Sequence, residues 1–295
     1  MHEDPVPVLG AARLGYGCAS LMARTGRRES LRLLEAAFEA GITHFDVARS
    51  YGYGEAEDVL GRFIAGRRDQ VTVTTKLGIA APPRQRALGA AKKLARAVAA
   101  VSPRARAALR GRASGMVAHG RFGAAEVRES FERSLRELRT DHVDVLLLHD
   151  PRPDDVGEEL LEFLDRCVAD GRARAVGVAS GREEVRAIAA AHGDRLTVAQ
   201  MPDSVLDPHL PAALAPQART LVTHSVVEGP LRALGRELDR ERLPALLLAS
   251  ALRRNPNGVV LVSSRDPAHL RANAALVSDP PPDDELDALD QLVAR

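Results

Sequence analysis

The sequence predicts a closed (β/α)8 barrel, because short β-rich runs alternate with amphipathic helical stretches along 295 residues. Parallel strands joined by right-handed helical crossovers account for such alternation, and eight strand–helix units close a TIM barrel. We expect a single domain over residues 1–295, since barrels of about 250 residues fold as one unit. The predicted strands are Leu14–Ser20, Thr43–Asp46, Val71–Lys76, Val143–His149, Ala173–Ala179, Leu196–Gln200, Thr220–Ser225 and Gly258–Ser263.

The pattern inside the elements supports this architecture. VDVLLLH and GVVLVS are nearly continuous apolar runs, which are typical of strands covered on both faces. Two helical stretches, Ser30–Ala40 and Ala124–Leu138, carry apolar residues at helical spacing. These residues are Leu31, Leu34, Ala37 and Phe38 in the first helix and Val127, Phe131, Leu135 and Leu138 in the second.

Two segments depart from the strand–helix alternation. Residues 80–125 contain ten Lys and Arg residues and no Asp or Glu, and this insertion follows the third strand. It is either a solvated helical excursion or a basic lid at the carboxyl rim that attracts an anionic substrate or cofactor phosphates. Residues 280–295 begin with three prolines and continue as a helical tail, which we expect to pack on the barrel through Leu286, Leu289 and Leu292.

Composition excludes several classes of protein. The net charge of +1 and the 3% aromatic content without Trp do not favour nucleic-acid binding. No apolar run approaches the roughly 18 residues that span a bilayer, and the start, MHEDPVPVLG, does not resemble a signal peptide. The two cysteines, Cys18 and Cys167, are far apart, which fits a reducing compartment. We therefore expect a cytoplasmic protein that binds neither nucleic acid nor membrane.

The common catalytic and nucleotide-binding motifs are missing from the sequence. Gly15-Tyr16-Gly17 lacks the third glycine and the later acidic residue of a dinucleotide fingerprint. There is no P-loop and no GxSxG elbow. His142 and His149 lack the spacing of a helix-borne zinc pair, so we expect no metal site.

Four polar residues at or just after strand ends make chemical sense together. Asp46, Lys76 and His149 end predicted strands, and Tyr51 follows five residues after Asp46. Taken singly, each has an ordinary structural explanation, such as a solvated strand end or a turn residue. Together, an ammonium lowers the pKa of a phenol, a carboxylate holds the ammonium, and a neutral imidazole orients a carbonyl oxygen. Such a proton relay lacks a hydride donor, which implies a nicotinamide cofactor.

The motifs around these residues resemble the aldo-keto reductase family. They are GITHFDVARSYGYGEAEDVLG, VTVTTKLG, RSLRELRTDHVDVLLLHDP and VVLVSSRDPAHLRAN, in order from about residue 9 to residue 277. The resemblance implies a (β/α)8 barrel that binds NADP(H) in an extended pose at its carboxyl rim. It also implies that Tyr51 is the general acid/base, that Lys76 lowers its pKa, that Asp46 pairs with Lys76 and that His149 orients the carbonyl.

The same resemblance implies a set of cofactor-binding residues, several of which depart from the family pattern. The family's Ser-Asn pair for the carboxamide is here Ala179-Ser180, and the nicotinamide-stacking aromatic is here His224. Arg265 is suited to a 2′-phosphate, which favours NADP(H) over NAD(H). The full set is Gly17, Ser180, Gln200, His224, Ser225, Ser263, Ser264, Arg265, His269 and Asn273.

Three functions remain compatible with these residues. The first is an NADP(H)-dependent reductase of a small aldehyde or ketone, with an anionic substrate favoured if residues 80–125 form a lid. The second is an NAD-dependent sugar or aldose dehydrogenase that uses the same four residues as a base relay. The third is a cofactor-sensing regulatory subunit with weak catalysis, which the intact set of four residues disfavours.

Overall fold

Eight parallel strands form a closed barrel in which every strand pairs with the next one in sequence and the last pairs with the first. The computed structural model describes residues 9–10, 12–80, 120–207, 220–235, 239 and 241–294. The strands are β1 Leu14–Gly17, β2 His44–Asp46, β3 Thr72–Leu77, β4 Val143–His149, β5 Ala173–Ala179, β6 Val198–Pro202, β7 Thr220–His224 and β8 Val259–Val262. The predicted (β/α)8 barrel is confirmed.

Helices surround this barrel. The α-helices of the described residues are α1 Arg27–Glu39, α2 Ala56–Ile64, α3 Ala124–Leu138, α4 Glu158–Ala169, α5 Arg182–His192, α6 Glu228–Leu234, α7 Leu243–Arg254, α8 Pro267–Ala275 and α9 Asp283–Val293. None of the helices in this part of the chain is long and apolar enough to cross a bilayer.

Most predicted strand boundaries hold to within one residue, and β1 and β6 differ by more. The structure has β4, β5 and α3 at the predicted residues. The strand β1 ends at Gly17 because Cys18–Ser20 turn into a short 3-10 helix. The strand β6 starts at Val198 rather than Leu196, because the amide of Leu196 still bonds to the carbonyl of His192 at 2.8 Å.

The apolar strands serve two layers, as their continuous pattern predicts. In β4, Val145 and Leu147 belong to the cluster inside the barrel, whereas Leu146 and Leu148 pack toward the helices. Helix α3 buries all four predicted residues. In α1 the buried face is centred on Leu33 and Leu34, so the predicted Leu31 and Phe38 lie at its edges and are only half-buried.

The C-terminal tail forms α9, which buries Leu286 and Leu289 and leaves Leu292 half-buried. Arg253 of α7 holds the helix through ion pairs with Asp287 at 2.8 Å and Asp290 at 2.6 Å. The predicted packing of the tail is therefore confirmed. For the basic insertion, residues 81–119 lie outside the described residues, so the solvated excursion and the basic lid both stay predictions.

Candidate active site

The carboxyl ends of β2 and β3 place a buried ion pair inside the barrel. Asp46 ends β2, and Lys76 stands next to the end of β3, on a neighbouring strand. The Lys76 Nζ donates to Asp46 Oδ1 at 2.5 Å and to the Val47 carbonyl at 3.1 Å, and both charged side chains are only 2–3% exposed. A buried ion pair needs this saturation with hydrogen bonds, because desolvation of each charge is costly.

Tyr51 lies over this ion pair on a tight turn. It opens the 3-10 turn Tyr51–Gly54, and its amide bonds to the Ala48 carbonyl at 3.0 Å. The next residue, Gly52, has φ 58° and no room for a side chain, since an added Cβ would lie 2.5 Å from the Leu21 carbonyl oxygen. The Lys76 Nζ lies 5.2 Å from the centroid of the Tyr51 ring. The turn therefore directs the phenol at the ammonium.

His149 completes the predicted set of four. It ends β4, and its ring stands edge-on to Tyr51, with the ring centroids 5.9 Å apart and the planes at 87°. The imidazole is half-buried. The structure thus brings Asp46, Tyr51, Lys76 and His149 together at the carboxyl rim.

Burial sets the protonation of the phenol and the ammonium. Burial raises the pKa of Tyr51 above its ordinary value, and this outweighs the lowering by the Lys76 charge and hydrogen bond. Burial alone would lower the pKa of Lys76, but Asp46 and Tyr51 prevail and raise it. The predicted lowering by Lys76 is therefore only one contribution, and the net direction for Tyr51 is upward. In this state both the phenol and the ammonium hold their protons.

Gln200 connects the ion pair to the neighbouring strand end. Its Nε2 donates to Asp46 Oδ2 at 3.1 Å, so each carboxylate oxygen of Asp46 has its own donor. Gln200 is 2% exposed, and its Oε1 has no hydrogen-bond partner among the described residues. A buried acceptor without a donor is costly unless a ligand supplies one. An amide N–H2 group of a bound molecule fits this atom.

Ser180 follows β5, beside Gln200 in the sheet, and its amide bonds to the Gln200 carbonyl at 3.2 Å. Its hydroxyl donates to Asp150 Oδ1 at 3.0 Å. The resemblance places Ser180 at the carboxamide of the cofactor, but its hydroxyl proton is committed to Asp150. The Ser180 hydroxyl oxygen can still accept a hydrogen bond.

His224 ends β7 and is half-buried, with its Nδ1 2.9 Å from the hydroxyl of Ser225. Burial lowers the pKa of His224, which keeps the ring neutral at pH 7. Ser225 is exposed and has φ 62°, a left-handed conformation that turns the chain out of the strand. A neutral, flat imidazole at this point suits stacking against an uncharged or cationic ring.

The loop after β8 brings together the remaining predicted residues. The Ser263 hydroxyl bonds to the Gly17 carbonyl at 2.7 Å, and a Cβ on Gly17 would lie 2.7 Å from the same hydroxyl oxygen. Ser264 accepts from the Asp266 amide at 3.1 Å. Asp266 caps the N-terminus of α8. On this helix His269 is exposed and Asn273 is half-buried. Arg265 is exposed and forms no ion pair with any acidic group in the described ranges.

Three residues behind this site carry no signal in the sequence that marks them as functional. Arg49 and Glu57 form a buried ion pair at 2.8 Å, and Thr75 donates to Glu57 at 2.7 Å. Their positions beside Tyr51 and Lys76 were visible, but a charged residue at the start of a helix is usually solvated, so no sequence signal marked them as buried. Asp150 was also missed as the partner of Ser180.

The described residues contain no cluster of three or more His, Cys, Asp or Glu that is able to hold a metal ion. Both cysteines are buried and free. What the site offers instead is a protonated phenol beside a buried ammonium, an imidazole, an unpartnered amide oxygen and an exposed arginine at the rim.

Comparison with known proteins gives a consistent result. Residues 8–215 match the family model described as the Aldo/keto reductase family. The chain is 33% identical over 177 residues to the 6-dehydroglucose reductase of Agrobacterium fabrum, covering 59% of this chain and 51% of that protein. It is 30% identical over 191 residues to the D-threo-aldose 1-dehydrogenase of a Pseudomonas species, covering 58% and 51%. The chain thus spans about half the length of these curated relatives.

A solved structure agrees on the fold. The aldo-keto reductase of Klebsiella pneumoniae in complex with NADPH superposes with a TM-score of 0.68 at 23% identity, and the match covers 96% of this chain and 92% of that one. The family model covers well over half of the chain, and the closed eight-stranded barrel is the fold of the superposed reductase. This chain belongs to the aldo-keto reductase family.

Proposed function

We propose that this chain is an NADP(H)-dependent oxidoreductase that reduces a small aldehyde or ketone to an alcohol, with Tyr51 as the general acid. The observation that carries the proposal is the buried Lys76 ammonium, which bonds to Asp46 at 2.5 Å and lies 5.2 Å from the centroid of the Tyr51 ring. No structural need explains an ammonium buried beneath a phenol at the carboxyl rim. A reaction that moves a proton at this phenol does.

The residues divide the proton chemistry among them. Because burial raises the pKa of Tyr51, the phenol carries the proton that the carbonyl oxygen must receive. Lys76 stabilises the phenolate that is left, and Asp46 keeps Lys76 charged in a buried position. His149, whose ring stands edge-on to Tyr51, orients the carbonyl oxygen. The nicotinamide supplies the hydride when it is bound.

The rim residues fit a nicotinamide dinucleotide phosphate. The unpartnered Oε1 of Gln200 accepts from the carboxamide N–H2, and His224 stacks on the ring. Ser180 adds an acceptor beside Gln200. The loop after β8 serves the adenosine phosphates, and the exposed Arg265 neutralises a 2′-phosphate. Binding of NADPH by the Klebsiella neighbour supports the same assignment.

The cofactor preference has its own test in Arg265. We expect Arg265→Ala to weaken NADPH binding about tenfold or more and to leave NADH binding unchanged, because one charged contact to the 2′-phosphate is lost. Fluorescence titration of the purified protein with each cofactor measures both constants. The outcome that contradicts the assignment is an equal effect on both cofactors, or none. Equal or tighter NADH binding by the wild-type protein favours the dehydrogenase described next.

A second candidate is an NAD-dependent aldose dehydrogenase that runs the same relay in the oxidative direction. Two relatives carry names of sugar-converting enzymes, a 6-dehydroglucose reductase and a D-threo-aldose 1-dehydrogenase. In this direction Tyr51 accepts the alcohol proton, and the Lys76 charge lowers the cost of the phenolate. A comparison of kcat/KM for NADP(H) and NAD(H) with aldoses and their reduced forms separates the two candidates.

The experiment that tests the relay replaces the phenol. We expect Tyr51→Phe to lower turnover by at least 100-fold while NADPH still binds, because the proton donor is lost and the cofactor contacts remain. Tyr53→Phe is the matched control, since Tyr53 lies two residues further along the same turn and points to solvent, 41% exposed. Wild-type turnover of Tyr51→Phe with glyceraldehyde and other small carbonyl compounds contradicts the proposal.

A further inference from the structure

We propose that Arg49, Glu57 and Thr75 form a positioning brace that sets the distance between the Tyr51 phenol and the Lys76 ammonium. The inference rests on the proposed function, because Tyr51 and Lys76 are its reacting pair. None of the three residues that form the brace bonds to the phenol of Tyr51 or to the ammonium of Lys76. They act through the backbone segments that carry those two side chains.

The brace is a chain of two buried hydrogen bonds. The Arg49 Nη1 donates to Glu57 Oε2 at 2.8 Å, and the Thr75 hydroxyl donates to Glu57 Oε1 at 2.7 Å. Arg49 is 5% exposed, Glu57 1% and Thr75 0%. Glu57 uses one oxygen for each donor, so its carboxylate orientation is determined on both sides.

The stability of the folded protein does not by itself explain why the Arg49–Glu57 ion pair is buried. Removing a guanidinium and a carboxylate from water is costly, and apolar side chains of similar volume often hold two elements together equally well. The surroundings are apolar, since Val59, Leu60 and Phe63 of α2 belong to the main core cluster. What charged hydrogen bonds add over apolar packing is direction, because they fix both distance and angle.

The brace lies where direction matters for the proposed chemistry. Arg49 stands two residues before Tyr51, and Thr75 stands immediately before Lys76. Side chains alternate along a strand, so Lys76 enters the barrel and Thr75 faces α2. Glu57 is in the first turn of α2, directly after the turn that Tyr51 opens.

The segment that carries Tyr51 is therefore attached to β3 from both faces. On the inner face, Lys76 bonds to the Val47 carbonyl at 3.1 Å. On the outer face, Arg49 reaches Thr75 through Glu57. A third tie is the Val47 amide, which bonds to the Thr74 carbonyl at 2.9 Å. If the outer attachment is released, the Tyr51 turn loses its fixed distance from Lys76.

This arrangement has a measurable consequence for the phenol. The Lys76 charge and hydrogen bond are the main influences that lower the pKa of Tyr51 against its burial. The charge interaction falls with distance, and an increase of about 1 Å in a contact of hydrogen-bond length shifts a pKa by about one unit. Loosening the brace is therefore expected to raise the pKa of Tyr51 further and to lower kcat by about tenfold or more.

The test uses three substitutions on the same strand of the full-length protein. Thr75→Val removes the hydroxyl and keeps the shape, and Thr75→Ser keeps the hydroxyl. Thr72→Val is the matched control, because Thr72 is also on β3 and its hydroxyl bonds to the buried His44 at 2.9 Å, at the other end of the strand. Each variant is compared with the wild type for its melting temperature, its NADPH affinity and its kcat against pH with glyceraldehyde.

A second readout does not depend on turnover. The chain has three tyrosines and no tryptophan, so the ultraviolet absorbance of the phenolate reports tyrosine ionisation directly. Subtracting the same titration of the matching Tyr51→Phe protein isolates Tyr51. Circular dichroism at each pH confirms that the proteins remain folded.

The brace predicts that Thr75→Val raises the apparent pKa of Tyr51 by about half a unit or more and lowers kcat about tenfold, with NADPH affinity unchanged. Thr75→Ser restores both values, and Thr72→Val lowers the melting temperature without moving either one. The proposal is overturned if Thr75→Val and Thr72→Val behave alike in both readouts. Full turnover of Tyr51→Phe overturns the proposed function instead, and the phenolate titration then still decides on the brace.

Discussion

Replacing Lys76 by Met tests how much the site depends on its buried ammonium. The substitution keeps the length of the aliphatic stem and removes the charged terminal group. Asp46, whose side chain is 3% exposed, then loses the donor at 2.5 Å. Coulomb's law at an effective dielectric constant of about 20 gives roughly 7 kcal/mol of attraction at this distance, before the cost of burial is subtracted. Breaking one partner of a buried pair typically costs about 3–5 kcal/mol, and this is the expected loss of unfolding free energy.

Stability and turnover are expected to separate in a double variant. Asp46→Asn with Lys76→Met leaves no unpaired charge, so most of the lost stability should return, to within about 2 kcal/mol of the wild type. Turnover should stay at least 100-fold down in both proteins, since nothing then stabilises the phenolate of Tyr51.

Two assays measure these effects. Urea unfolding followed by circular dichroism gives the unfolding free energies, and NADPH consumption with glyceraldehyde gives the turnover. Two results would refute the reasoning. One is a Lys76→Met protein that retains turnover within about tenfold of the wild type. The other is a double variant that remains as unstable as the single one, because the ion pair is then not the cause of the loss.

Two further predictions concern residues around the site. Burial lowers the pKa of His44 from 6.5 to about 4. Between these two pH values, His44 is protonated in the unfolded chain and neutral in the folded protein. Stability should thus be complete above pH 6.5 and fall by about 3 kcal/mol as the pH drops to 4, and His44→Gln should remove this part of the pH dependence in urea unfolding. Gly52→Ala should cost about 2–4 kcal/mol and most of the turnover, because φ is 58° and the new Cβ meets the Leu21 carbonyl. Gly66→Ala is its control, with φ 80° and no atom within 4 Å, and should cost about 1 kcal/mol and no turnover; equal losses in the two variants would contradict the role of the close contact.

The fold was accessible from sequence because its signals are local. Nearly continuous apolar runs such as Val143–His149 are typical of strands covered on both faces, and the helix Ala124–Leu138 carries its whole buried face in its spacing. The prediction was imprecise for the buried face of α1. Apolar residues cover a wide arc of this helix, so its local sequence does not specify which of them face the barrel. Packing against the barrel chose Leu33 and Leu34 for the centre.

The sequence predicted which residues form the candidate site but not which hydrogen bonds they make. Residues that end strands of a parallel barrel must meet at one rim, so Asp46, Lys76 and His149 follow from topology alone. The commitment of the Ser180 hydroxyl to Asp150 and of the Gln200 amide to Asp46 depends on atoms brought together from different strands. No spacing in the chain specifies which of several polar neighbours a side chain selects.

The sequence by itself determined the barrel, the family and the four polar residues at its rim, because each depends on periodicity or on a contiguous motif. Only the tertiary structure decided that burial raises the pKa of Tyr51 despite Lys76, and that Arg49 and Glu57 are buried rather than solvated. The reason is that desolvation depends on the whole surrounding volume. The local sequence around a charged residue such as Glu57 does not show whether water or a core cluster surrounds its side chain.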